Sequence, residues 1–191
     1  MKKQIERIKL FLLLTSYYWF LRYLPEGYHH PKFRIFNTAR SFIGRKLFLS
    51  CGRNVSIHRN AHFGTGRRLS VGSGSHLGVN CWINAKGSVT LGENVIMGPD
   101  VIILTGKHSF DNPGLFIKEQ PMEYAPVVIE DDVWLGARVV VLPGCTIAKG
   151  SVIGANSVVS KDIPPYSVAV GSPISIIRNR KNKLSRTIKT Y

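Results

Sequence analysis

From Ile129 onward the chain reads in sixes: IEDDVW, LGARVV, VLPGCT, IAKGSV, IGANSV, VSKDIP. The first place is always a branched aliphatic: Ile129, Leu135, Val141, Ile147, Ile153, Val159. The fifth is small or β-branched: Val133, Val139, Cys145, Ser151, Ser157, Ile163. Glycine or another small residue is frequent at the second place, and turn formers occupy the third and fourth. Upstream the same frame gives CGRNVS, IHRNAH, FGTGRR, then VGSGSH, LGVNCW, INAKGS, then LGENVI, MGPDVI, ILTGKH. It slips by two residues at Leu69–Ser70 and again at Val89–Thr90.

An amphipathic helix would place apolar residues at i, i+3, i+4 and i+7, which a period of six does not supply. A hexad period predicts a parallel β-helix, in which each six forms one flat side and three sides close a turn. The aliphatics point inward and stack rung on rung, about 4.8 Å apart. Glycine and asparagine at the corners permit the positive φ that tight turns require. The fold class is therefore all-β, with a helical segment before the β-helix and a short basic helix or tail after it. The division expected is 1–50, 51–173 with a loop at 109–126, and 174–191.

The frame accounts for the cysteines. Cys81 and Cys145 fall at fifth places and Cys51 at a first place, so all three read as small core residues. An odd count with no CxxC fits a reducing compartment, hence a cytoplasmic protein. The net charge of +15 is concentrated at the ends. Residues 1–50 carry ten Lys or Arg against two acids, residues 51–173 ten against nine, and residues 174–191 six against none. Basic ends suit an anionic membrane surface or a polyanionic ligand, or are solvated faces. No nucleic-acid-binding signature accompanies them, so nucleic acid is not expected as a partner.

Near the N-terminus, Lys2, Lys3, Arg7 and Lys9 precede the uncharged run Leu10–Leu21, and Arg22 follows. The run falls short of the roughly 20 residues of a spanning helix, and no small-x-small cleavage site follows it. Two readings remain: packing on the body of the protein or a partner subunit, or lying in a membrane interface. Residues 33–48, FRIFNTARSFIGRKLF, repeat the mixture of aromatic and basic.

Residues 51–178 resemble the hexapeptide-repeat acyltransferases, whose β-helix is left-handed. The stretch PVVIEDDVWLGARVVVLPGCTIAKGSVIGANSVVSKDIPPYSVAVGSPISIIR (126–178) carries the likeness most closely. The branch most similar is that of the galactoside and maltose O-acetyltransferases and the acetyltransferases of exopolysaccharide synthesis. The first fifty residues resemble no part of that branch.

From Ser109 to Tyr124 the hexads are lost. Such an insertion in a regular coil is more often a functional loop than an accident. His108 closes ILTGKH at an outward corner, just before the break. A neutral imidazole suits removal of a hydroxyl proton near neutral pH. In the resembled family the histidine of a TGH-type segment before this loop is the general base. Here the segment is Thr105-Gly106-Lys107-His108, with Lys107 inserted. His58, His62 and His76 sit at outward places on early coils, and His29 and His30 lie near the second basic segment. No HxxxxH pair is present, so no metal site is expected.

The resemblance also implies an acceptor contact at Asn84, whose plainer alternative is a left-handed corner residue. Asp111, Glu123 and Tyr124 belong to the loop and are candidates for acceptor binding or for orienting His108. For acetyl-CoA it implies Trp134, Gly136, Ala137, Gly154, Ala155, Ser160, Lys161 and Arg178. Arg and Lys suit the phosphates, though Lys161 and Arg178 also read as solvated charges. It further implies a homotrimer with sites between subunits. The expected activity is acetyl transfer from acetyl-CoA to a sugar hydroxyl, directly and without an acyl-enzyme. The expected setting is cell-surface polysaccharide assembly in the cytoplasm or at the inner membrane. Alternatives are N-acetylation of an amino-sugar or xenobiotic, and a non-catalytic β-helix scaffold.

Overall fold

The computed structural model describes residues 2–26, 32 and 34–182. His29, His30 and the end of the basic tail lie outside them. From residue 50 to residue 170 the chain winds as a parallel β-helix of triangular section. On the first face, β1 (Ser50–Cys51), β3 (Leu69–Val71), β6 (Val89–Leu91), β11 (Val127–Ile129) and β14 (Thr146–Ile147) pair in parallel. The second face carries β2 (Ser56–Ile57), β4 (His76–Leu77), β7 (Ile96–Met97), β12 (Trp134–Leu135), β15 (Val152–Ile153) and β17 (Ser167–Val170). The third carries β5 (Trp82–Asn84), β8 (Ile102–Leu104), β13 (Val140–Val141) and β16 (Val158–Val159).

The hexad aliphatics fill the prism. Leu135, Val141, Ile147, Ile153 and Val159 are all wholly buried, as are Val133 and Val139 to within 1%. The slips of two residues are absorbed by longer strands: Leu69 and Val71 both face inward across Ser70, and Val89 and Leu91 across Thr90. Corners adopt positive φ at Asn54, Asn60, Asn80, Asn94, Asp100 and Asn156, where a short polar side chain tolerates it.

Two helices, α1 (Lys2–Trp19) and α2 (Arg34–Leu47), close the base. Tyr17 is wholly buried, packs on Phe63 at 4.7 Å between ring centroids, and donates to Ala61 O at 2.8 Å. Phe48 meets Phe63 edge-on at 4.9 Å. Of the two readings of the N-terminus, packing on the body is seen for this inner face. The outer face leaves Ile8, Phe11, Trp19, Phe20 and Tyr23 exposed. Among the described residues no helix is long and apolar enough to cross a membrane.

The sequence reading allows a short helix after residue 174. The described part of that segment is instead a strand, β18 (Ser175–Asn179), antiparallel to β17. The open edge of β17 offers unpaired backbone groups, and Ile176 and Ile177 favour extended structure.

Candidate active site

The site grows from the place where the chain leaves the coil. β8 keeps its ladder with β5 and β13 through Leu104. Thr105 then turns inward at the third place of its hexad, two residues after Ile103 just as Val71 follows Leu69, and is wholly buried. Its hydroxyl donates to Asn84 O at 2.7 Å and accepts from Gly87 N–H at 2.8 Å. Its carbonyl accepts the Ala125 N–H at 2.9 Å. These bonds clamp the neck of an excursion.

Beyond the neck, β9 (Gly106–His108) runs outward and β10 (Met122–Tyr124) returns antiparallel to it. Tyr124 stands opposite Gly106, Glu123 opposite Lys107, and Met122 opposite His108. This corrects the expectation that His108 closes ILTGKH at an outward corner of the coil, just before the break. The coil ends at Thr105, which takes the last inward place, and His108 stands on a ribbon arm. The tip is braced as well: Gln120 is buried, and its amide donates to Asn112 O at 3.0 Å and Leu115 O at 3.3 Å.

His108 is exposed on that arm. Alternation along a strand puts Lys107 and His108 on opposite faces. Glu123 pairs with Lys107 at 3.2 Å, which holds its carboxylate on the face away from the imidazole. Among the described residues neither Asp111, in the exposed tip, nor Glu123 is hydrogen-bonded to His108. Tyr124 lies over Gly106, where an added Cβ would come within 2.8 Å of the ring.

Asn84 and Tyr124 line a cleft of about 670 Å³ together with Trp82, His62, Arg67, Arg68 and Lys86. Asn84 is not one of the left-handed corner residues; it ends β5, and its Oδ1 accepts the Lys86 N–H at 3.2 Å. His62 is lodged between the rings of Tyr18 and Trp82, at 5.2 and 6.1 Å. Its Nδ1 is buried without a partner. Burial, and then the charge of Arg22, hold its pKa below the usual histidine value, so it is neutral at pH 7. Thr105, Gln120 and the arginines of this cleft were missed in the sequence; the two-residue slips at Leu69–Ser70 and Val89–Thr90 were the available signal for a second inward residue at Thr105.

Ser160 and Lys161 are exposed on the same corner as the ribbon, following β16. The remaining donor-site candidates lie elsewhere. Trp134 is 53% exposed on the second face, and Gly136, Ala137, Gly154 and Ala155 form the corner after it. Arg178 is exposed on β18, opposite Val168. Gly136 N–H donates to Ile153 O and Gly154 N–H to Ala169 O, each at 2.8 Å. Their missing side chains serve coil packing: a Cβ at Gly136 would lie 2.6 Å from Ala155 N. One protomer thus carries Trp134, the glycine corner and Arg178 on a different edge of the prism from the ribbon, Ser160 and Lys161 alone sharing the ribbon's corner.

Cys81 and Cys145 are buried as expected, whereas Cys51 is only partly buried. Burial pushes Cys81 up to about 12, and burial followed by the nearby Asp162 charge raises Cys145. Among the described residues no three His, Cys, Asp or Glu are placed to hold a metal ion.

Residues 126–161 match the bacterial transferase hexapeptide (six repeats), and residues 68–103 match the hexapeptide repeat of succinyl-transferase. Galactoside O-acetyltransferase of Escherichia coli (strain K12) is 34% identical over 139 residues, covering 73% of this chain and 68% of that protein. The chain belongs to the hexapeptide-repeat acetyltransferases. Within that family of acyltransferase enzymes, a Vibrio cholerae acetyltransferase solved with acetyl coenzyme A superposes with a TM-score of 0.71 at 32% identity. The superposition covers 76% of this chain and 78% of that one. A Schizosaccharomyces pombe protein named as an acetyltransferase is 45% identical over 105 residues, 54% of this chain. The chain spans about half the length (49%) of that relative.

Proposed function

We propose that this chain transfers acetyl from acetyl-CoA to a sugar hydroxyl, as a homotrimer in which the ribbon corner of one protomer faces the Trp134 edge of the next. The separation of the two half-sites on the prism carries this reading. Trp82, Ile96 and Trp134 are about half exposed on the flat faces, which suits coverage by neighbouring protomers. Relatives that act on galactosides, and neighbours holding acetyl-CoA, support the substrate and donor.

In this mechanism residues 51–173 form the catalytic body. Asn84, Tyr124 and the loop carboxylates Asp111 and Glu123 hold the acceptor. His108 takes the hydroxyl proton as the oxygen attacks the thioester carbon. The tetrahedral intermediate collapses, the carbon–sulfur bond breaks, and the imidazolium returns its proton to the leaving thiolate. The products are an acetyl ester and CoA. Trp134, Gly136, Ala137, Gly154 and Ala155 line the pantetheine arm, and Ser160, Lys161 and Arg178 meet the nucleotide end. The buried thiols leave no side chain suited to an acyl-enzyme.

The acceptor is a saccharide of cell-surface polysaccharide assembly. The segment 1–50, with exposed aromatics among cations, keeps the cytoplasmic enzyme near the inner membrane, and the basic segment 174–191 adds to that attraction. The test is complementation between subunits. His108→Ala and Trp134→Ala homotrimers should each release little CoA with galactosides, and mixed trimers should recover activity. Mixed trimers no better than either parent would defeat the shared site.

A further inference from the structure

A second concavity lies beside the acceptor cleft. It runs between α1 and α2 along the base of the prism and encloses about 1120 Å³. Its volume exceeds the roughly 300–1,000 Å³ of ordinary small-ligand pockets. Its walls are apolar, and Leu12, Phe42 and Leu49 are 59%, 60% and 68% exposed there. Its rim is cationic: Lys9, Lys46 and Arg67 line it, and the single acid, Glu6, is paired with Lys9 at 3.1 Å. Arg67 also lines the acceptor cleft, where Arg68 and Lys86 stand with it. Arg68 donates to Lys86 O and is held at that junction.

The order along the surface is therefore sugar-sized cleft, cluster of cations, apolar groove. A ligand matching all three parts has a polar sugar, a polyanion and a hydrocarbon chain in that order. We infer that the groove between α1 and α2 holds the hydrocarbon chain of a lipid diphosphate-linked sugar, with its diphosphate at Arg67. The sugar end of this inference rests on reading the Asn84 cleft as the acceptor site. Charge argues against a second copy of this chain as the occupant, since a self-complementary contact would bring Lys9, Lys46 and Arg67 toward their own images. A flat membrane surface alone would leave the groove and its continuity with the cleft unused. Each methylene removed from water strengthens binding about fourfold, so chain length is a sensitive readout.

The probe is farnesyl diphosphate, titrated calorimetrically into the full chain below its aggregation threshold. It should bind, with farnesol and inorganic diphosphate each at least a hundredfold weaker. The double variant Leu12→Glu/Phe42→Glu should weaken the probe at least tenfold, and Arg67→Ala should do so separately. All three positions are exposed, so the variants should keep the wild-type circular dichroism spectrum, which is checked before titration. In acetyl transfer, a long-chain diphosphate-linked sugar should have a KM at least tenfold below its short-chain counterpart, and the double variant should bring that ratio toward one. Equal binding of the probe by wild type and the double variant overturns the inference. So does inorganic diphosphate as strong as the probe, or a change of sedimentation in the double variant without loss of probe. Probe binding that obeys these expectations supports the groove even if no sugar is acetylated, an outcome that would defeat the proposed activity alone.

Discussion

Arg40 Nη2 stands 3.5 Å from Glu26 Oε1, with both side chains wholly shielded from water. Arg40 also donates to Leu24 O at 2.9 Å and Ile57 O at 3.0 Å, while Glu26 accepts from the Arg59 N–H and faces His58 Nδ1 at 3.2 Å. An ion pair with its hydrogen bonds complete ties α2, the chain before it and the first coil into one closure.

Removing one member strands the other charge out of water. Arg40→Met should therefore destabilise the protein by about 3–5 kcal/mol, the range for a broken buried pair. Urea unfolding measures it; a loss under about 1 kcal/mol would mean that the base closes without the pair.

The same pair sets an acid limit. Burial pushes the Glu26 carboxyl upward, but His58, the Arg59 amide and Arg40 together outweigh it, and its pKa is held below the ordinary carboxylate value. A depressed folded pKa contributes stability above the unfolded value, and that contribution is lost as pH falls through the folded one. The Tm of the wild type should thus drop on acidification below the normal carboxylate range more steeply than that of Glu26→Gln. Parallel Tm–pH curves for the two would refute the argument.

Thr105→Val keeps the shape of the neck and deletes its hydroxyl. The Gly87 N–H and one bond to the Asn84 carbonyl lose their partner, at a cost of about 1–3 kcal/mol. Because the ribbon springs from this residue, turnover should fall along with the denaturant midpoint. A variant with a shifted midpoint and unchanged kcat would show that the ribbon holds its place without the neck.

His108→Ala removes an exposed side chain and should leave the Tm within about 0.5 kcal/mol of equivalent stability. Its kcat should fall by about 10²–10⁴, the usual contribution of a general base, with acetyl-CoA affinity retained. Turnover within threefold of wild type would move the proton transfer to another group.

The coil was legible because it is a repeat. Every rung asks the same of its first and fifth places, so Leu135 or Ile153 is fixed by a pattern and not by its neighbours alone. The ribbon was not legible in that way. Gly106–His108 pairs with Met122–Tyr124 across thirteen residues that follow no period, and the pairing rests on single devices such as Gln120 and the absent side chain of Gly106. The hexad frame put Thr105 at a third, turn-forming place, so the coil was carried one corner too far, to His108. The C-terminal strand escaped for a related reason: its partner is an edge left open by the last coil, which no local pattern announces. The donor-site residues were named by likeness, and a single chain leaves Trp134, the glycine corner and Arg178 on a different edge from His108, with only Ser160 and Lys161 on its corner.

Val127 resumes the first face directly above Val89, with its N–H on Ser88 O at 3.1 Å, as though nothing had intervened. The ribbon is thus a cassette spliced between two rungs that pair with each other directly. Its length and chemistry can drift without disturbing the register of the core, because the strands below and above it keep their own pairing.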